Sequence, residues 1–259
     1  MNTLVAALAS IIVTVLLWRT LYPLGSISLL ALMPLTGLIL VGNYRVTISR
    51  RKAILDSVFT ETTSVRKFFK GRISASVQSI AVAAAGLFLI AYKGIAADAW
   101  EITLAISSIA ICTVTFVYLT QRLEAHVKPR HLLSVAASVT VVFVGTIYFI
   151  LYMYAMWGID QFPGYFLNEP WSVALNRAMD ELPQSSGFVA QFVEVVFALE
   201  TLKNYAVVNS GNFTSIVPVV YVVYGAIFGY LQVRVVVSVV SAVYVLSRTI
   251  QATGYEHDS

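Results

Sequence analysis

The sequence predicts an all-α, polytopic membrane protein with about six transmembrane helices and a re-entrant helix before the last. Only 12% of its 259 residues are charged and 58% are apolar, whereas a soluble domain carries about 25% charged residues. The mean hydropathy is +0.80. The apolar residues fall into blocks of about 20, the length a helix needs to cross roughly 30 Å of hydrocarbon. Backbone N–H and C=O groups find no water in that layer, so each segment satisfies them internally and helices result.

Five blocks come first, at residues 3–18, 26–41, 74–92, 99–120 and 132–157. The first has no Lys or Arg ahead of it and no small-residue cleavage site behind it, so it reads as a retained span and not a signal peptide. The connection between the second and third carries Arg45, Arg50, Arg51, Lys52, Arg66, Lys67, Lys70 and Arg72 against Asp56 and Glu61. Such an excess marks the cytoplasmic side. The next inward connection holds Arg122, Lys128 and Arg130. The outward ones hold Asp98, Glu101, Asp160, Glu169, Asp180 and Glu181 against Lys93 and Arg177. Both termini are expected in the cytoplasm, with the chain in a bacterial inner membrane.

Within the basic connection, Ile54, Leu55, Val58, Phe59, Val65, Phe68 and Phe69 recur at helical spacing, which predicts an amphipathic helix over about 50–72. Membrane lipids are the expected partner. Arg50, Arg51, Lys52, Arg66, Lys67, Lys70 and Arg72 would meet anionic headgroups or dock a cytoplasmic protein. Topology accounts for the net charge of +4, and no nucleic-acid binding is expected.

The chain divides into four N-terminal helices (1–131) and a two-helix, pore-like unit (132–259). Asn168, Glu169 and Pro170 announce a short capped helix over 171–182. Residues 187–201 are apolar except for Gln191, Glu194 and Glu200, and as a helix they reach only about 20 Å. The polar run Lys203, Asn204, Asn209, Ser210, Gly211 and Asn212 follows, then an uncharged stretch, 213–233, long enough to cross. A helix over about 187–203, a polar return and a full span make a re-entrant loop. Irregular backbone at membrane depth requires protein or water beside it. Glu194 and Glu200 fit an aqueous path or a paired charge, and Lys203 is a candidate partner for Glu200. Gly225 and Gly229 form a small-xxx-small pair suited to close helix packing or a hinge. Beyond Arg234 the apolar helix continues to residue 246, with Ser238, Ser241 and Ser247 at roughly helical spacing, as a long inner helix lining a cytoplasmic vestibule would have.

The stretch from Phe192 to Asn209, followed by Pro218, Gly225 and Gly229, resembles the pore helix, filter and inner helix of tetrameric potassium-channel-type cation channels. The likeness covers about the last 75 residues. It implies a homotetramer with a central path. The family's Thr-Val-Gly-Tyr-Gly filter is replaced by Asn204, Tyr205, Ala206, Val207 and Val208, without a glycine to take the unusual backbone angles. The block 99–120 also lacks the repeated arginines of a voltage sensor. A pore of this kind would be narrowed by side chains, with Glu200, Thr201, Asn204 and Asn209 as candidates.

The remaining chemistry is sparse. Cys112 is the single cysteine, and His126, His131 and His257 lie in connections or the tail. No cofactor, metal site or enzymatic activity is expected. Three function classes stay open: a channel-like pore, a non-conducting scaffold or sensor of a bacterial stress or antiviral defence system working through residues 45–72, and a small-solute transporter using Glu194 and Glu200.

Overall fold

The computed structural model describes residues 2–58, 71–158, 162–209 and 216–257, which are helical with no strand among them. The helices are α1 (Asn2–Leu21), α2 (Leu29–Val58), α3 (Arg72–Ala96), α4 (Ala99–Leu123), α5 (Pro129–Gly158), α6 (Tyr165–Asn168), α7 (Trp171–Asp180), α8 (Phe188–Val208) and α9 (Ile216–His257), with a 3-10 segment, Tyr22–Ser28, between α1 and α2. Five stretches of the described chain are long and apolar enough to cross a membrane. The first, Val5–Leu55, holds both α1 and α2. As one straight helix its 51 residues would reach roughly 75 Å, more than twice the hydrocarbon thickness. Gly25, at φ 68°, interrupts the helix, and α1 and α2 pack against each other. The protein is an all-α, polytopic membrane protein.

Two ends of the bundle are distinguishable. At the basic end, Ser49 Oγ donates to the Arg130 carbonyl (2.7 Å), setting the end of α2 beside the start of α5. The far end carries the 3-10 segment, the α3–α4 turn and α6 to α8. The predicted amphipathic helix is corrected in part: α2 runs on to Val58, so Ile54, Leu55 and Val58 extend a long helix and do not open a separate one. Phe59, Val65, Arg66, Lys67, Phe68, Phe69 and Lys70 lie outside the described residues.

α9 is the hub. It packs against each of α1 to α5. Val233 and every residue from 235 to 242 are buried, and a helix buried at consecutive positions is enclosed on all faces. The long inner helix therefore does not line an open vestibule along this stretch, because its own chain surrounds it. Towards the far end, Val219, Val222, Val223, Ile227 and Tyr230 are exposed at helical spacing, an apolar stripe suited to lipid.

Close approach to the hub depends on missing side chains, since helix association in lipid relies on van der Waals packing. A Cβ on Gly42 of α2 would overlap the Ser238 carbonyl of α9, and one on Gly86 of α3 would come within 2.8 Å of Val235 Cγ2. Gly225 and Gly229 both face α5, where an added Cβ would lie 3.0 Å from Met153 Sδ and 3.1 Å from Tyr148 Cδ1. Their role is packing. α9 continues unbroken past both, so neither acts as a hinge in this structure.

The half-span helix expected over 187–203 is also corrected. α8 runs to Val208, because neither Gly nor Pro interrupts it. It lies across the far end and does not traverse the bundle. Gly187 meets Ser26 beside its start, Val189 and Val193 pack with Trp18, Tyr22, Leu32 and Tyr92, and Asn209 beyond its C-terminus holds the Phe166 carbonyl (2.8 Å). The filter-like residues are helical, and the Asn209 N–H bonds the Tyr205 carbonyl (3.0 Å). The Tyr205 carbonyl is thus committed along the helix.

Gly42→Leu is expected to lower stability by about 3 kcal/mol through overpacking, read as a reduced melting temperature in detergent. Gly145→Ala, where no other side chain or helix lies within 4 Å of the added Cβ, is expected not to lower it.

Candidate functional site

A cluster of charges sits at the far end, where α3, α4, α8 and α9 converge. The α3–α4 turn builds half of it. α3 ends with Lys93 in its last turn and α4 begins with Glu101 in its first, the placement that complements each helix dipole. Glu101 Oε2 accepts the Asp98 backbone N–H (3.3 Å) in a capping box. Its other oxygen receives Lys93 Nζ at 2.6 Å. One carboxylate thus caps α4 and pairs with α3.

α8 contributes the rest. Glu200 Oε1 lies 3.5 Å from both Lys93 Nζ and Lys203 Nζ, and the Tyr92 hydroxyl donates to Glu200 Oε2. α9 supplies aromatic faces: Lys203 Nζ stands 4.2 Å from the Tyr224 ring centroid and Lys93 Nζ 5.3 Å from that of Phe228, within cation–π range. The four charged side chains are only 11–17% exposed, so water screens them little. Burial opposes the ionised form of Glu200. Lys93 and Lys203 outweigh it and hold that carboxyl below its usual range.

Two cavities abut this cluster. A polar one of about 310 Å³ is walled by Asp98, Trp100, Glu101, Glu181, Glu200, Thr201, Asn204 and neighbouring aromatic residues. An apolar one of about 210 Å³ lies among α1 to α4 and α9, with Tyr148 and Gln232 as its other polar groups. Lys93, Ala97 and Glu101 belong to both walls.

Polar contacts continue towards the basic end. The Tyr148 hydroxyl donates to Gln232 Oε1 (2.7 Å). Two residues on, Arg234 Nε and Nη2 both reach Asn43 Oδ1 at 3.3 Å, and Asn43 Nδ2 donates to Ser79 Oγ (3.1 Å). Among the described residues no carboxylate pairs with Arg234; its third contact is the Tyr230 hydroxyl (3.2 Å).

Of the residues expected to line a pore, the structure gathers Glu200, Thr201 and Asn204 at the polar cavity. Glu194, half-buried six residues earlier on α8, lies at neither cavity and makes no ion pair among the described residues. Asn209 ties α8 to α6 through Phe166. On the basic side, Arg51 donates to the Gly71 carbonyl (3.2 Å) and Ser74 Oγ (2.6 Å), joining α2 to α3. Arg50, Lys52 and Arg72 are exposed, while Arg66, Lys67 and Lys70 fall outside the described residues.

Sequence reasoning treated Lys93 and Glu101 as ordinary loop charges and passed over Arg234 and Asn43. A signal was present, since Glu101 lies inside the apolar block 99–120 and Arg234 interrupts the longest apolar stretch of the C-terminal third, and intramembrane charges mark functional sites. No family model, curated protein or solved structure matches the chain, so the reading of this site rests on its geometry.

Lys93→Met would strand Glu101 without a cation and is expected to cost about 3 kcal/mol, at the lower end for breaking a buried pair. The double variant Lys93→Met/Glu101→Gln is expected to recover most of that in thermal denaturation of the detergent-purified protein.

Proposed function

We propose that this is a channel-like membrane transport protein that passes a small polar or charged solute through the interior of each subunit. The observation carrying this reading is the pair of cavities meeting at Lys93 and Glu101, with polar side chains continuing through Tyr148, Gln232, Arg234, Asn43 and Ser79 towards the basic end. Ionisable side chains within membrane bundles are expensive and mark solute or proton paths. Here the charges separate a wide polar chamber from a narrow apolar one, which suits a gate: exchanging Lys93 between Glu101, Glu200 and an entering solute would open the shared wall.

This path needs no second subunit, unlike the central pore of a tetramer. The enclosure of α9 between Val233 and Ala242 favours it over a path between subunits. The exposed apolar stripe on α9 remains available to lipid or to a neighbouring copy. By the charge asymmetry of the connections, the basic end faces the cytoplasm, the polar cavity opens outward, and both termini are inside.

The test begins with removal of the single cysteine, Cys112→Ala, followed by Gln232→Cys. In proteoliposomes a water-soluble, charged thiol reagent is expected to modify that cysteine and to abolish solute flux, whereas Val139→Cys on the exposed face of α5 stays unmodified at its depth in lipid. Failure of the reagent to reach position 232 in a correctly folded, flux-competent protein removes the path. Glu101→Gln is expected to reduce flux at least tenfold.

A further inference from the structure

We infer that the polar cavity is a binding site for a small organic cation, of the amine or quaternary ammonium class. This deepens the transport reading and rests on the same chamber.

Charge sets the sign of the ligand. Four carboxylates, Asp98, Glu101, Glu181 and Glu200, belong to the wall, against the single ammonium of Lys93. Lys203 stands behind Glu200 and offsets one of them. Asp98 and Glu181 are exposed at the mouth, whereas Glu101 and Glu200 lie deep. An approaching cation therefore meets the negative potential of Asp98 and Glu181 at the entrance, which steers and concentrates cations, while within the chamber Glu101 and Glu200 are balanced by Lys93 and Lys203.

Wall chemistry sets its class. Tyr92, Trp100, Tyr165, Phe166 and Phe197 contribute aromatic rings to the same chamber, and aromatic faces attract desolvated organic cations. The protein already uses this interaction nearby, with Lys93 against Phe228 and Lys203 against Tyr224. Among the described residues no group of three His, Cys, Asp or Glu side chains is arranged to hold a metal ion. A bare inorganic cation would also leave most of about 310 Å³ unfilled, whereas that volume lies at the small end of organic ligand pockets.

Choline is a suitable probe, since its quaternary nitrogen carries a fixed positive charge and its small size suits a chamber of about 310 Å³. Equilibrium dialysis of labelled choline against the detergent-purified full chain is expected to show saturable binding, with its neutral isostere, in which carbon replaces the quaternary nitrogen, binding at least tenfold more weakly. Glu181→Gln, at an exposed position, is expected to weaken choline binding roughly fivefold, the effect of one screened charge, and Trp100→Leu roughly tenfold. If Trp100→Leu fails to fold, Phe197→Leu on the same wall reads the aromatic contribution. Absence of saturable choline binding, equal binding of the neutral isostere, or indifference to both substitutions overturns the inference. Binding without flux in proteoliposomes overturns the transport reading alone, and flux of other solutes without choline binding overturns this inference alone.

Discussion

The ammonium of Lys93, shared between Glu101 on the neighbouring helix and Glu200 on α8, holds the far end of the molecule together. A lysine in the last turn of an apolar helix would otherwise snorkel to the interface. Here it is turned inward, and three consequences follow. Glu101 is drawn into the bundle, fixing the α3–α4 turn. Glu200 is drawn after it, and α8 comes to lie across the bundle end. Tyr224 and Phe228 then close over the two lysines from α9. Because the cluster is nearly neutral as a whole, its burial is tolerable, and because each charge depends on the others, none can be removed cheaply.

The rest of the bundle has the opposite character. Between Val233 and Ala242, α9 is built of small and branched residues that are buried at every position but Arg234, and at Gly42 and Gly86 the neighbouring helices approach without an intervening side chain. Packing of this kind is rigid. The far half of α9 carries exposed apolar residues on one side, and the apolar cavity lies against Gln232, Val235, Val236 and Val239 of the same helix. Close helix packing towards the basic end thus supports a polar, charged chamber at the far end. Movement of Lys93 between its carboxylates would require no displacement of the hub.

How much of this was legible in the residues depends on the range of the interaction. Crossing helices were, since hydrophobic block length is a local property, and the structure bears out the all-α, polytopic membrane fold. The short helix after Pro170 was also legible from its proline, although no side chain caps it and it ends at Asp180 and not at 182. The length of α8 was misjudged because the polar residues Lys203 and Asn204 looked like a return loop. They are polar for another reason: one pairs with Glu200 and the other belongs to the wall of the chamber. Gly225 and Gly229 were singled out for packing or a hinge, yet Gly42, which makes the closest approach, gave no local sign, because its importance arises from Ser238 almost 200 positions away.

From its sequence alone, then, the chain determined its solvent and its secondary structure: apolar blocks of membrane length cannot remain in water, and lipid leaves their backbone no alternative to the helix. Charge asymmetry between connections distinguished the two ends. Which charges face one another was decided only by tertiary structure. Lys93 and Glu200 are separated by more than 100 residues, and nothing in either neighbourhood encodes the other. Their meeting is set by how α3, α8 and α9 pack, and so are the two cavities, which are spaces between helices and belong to no single segment.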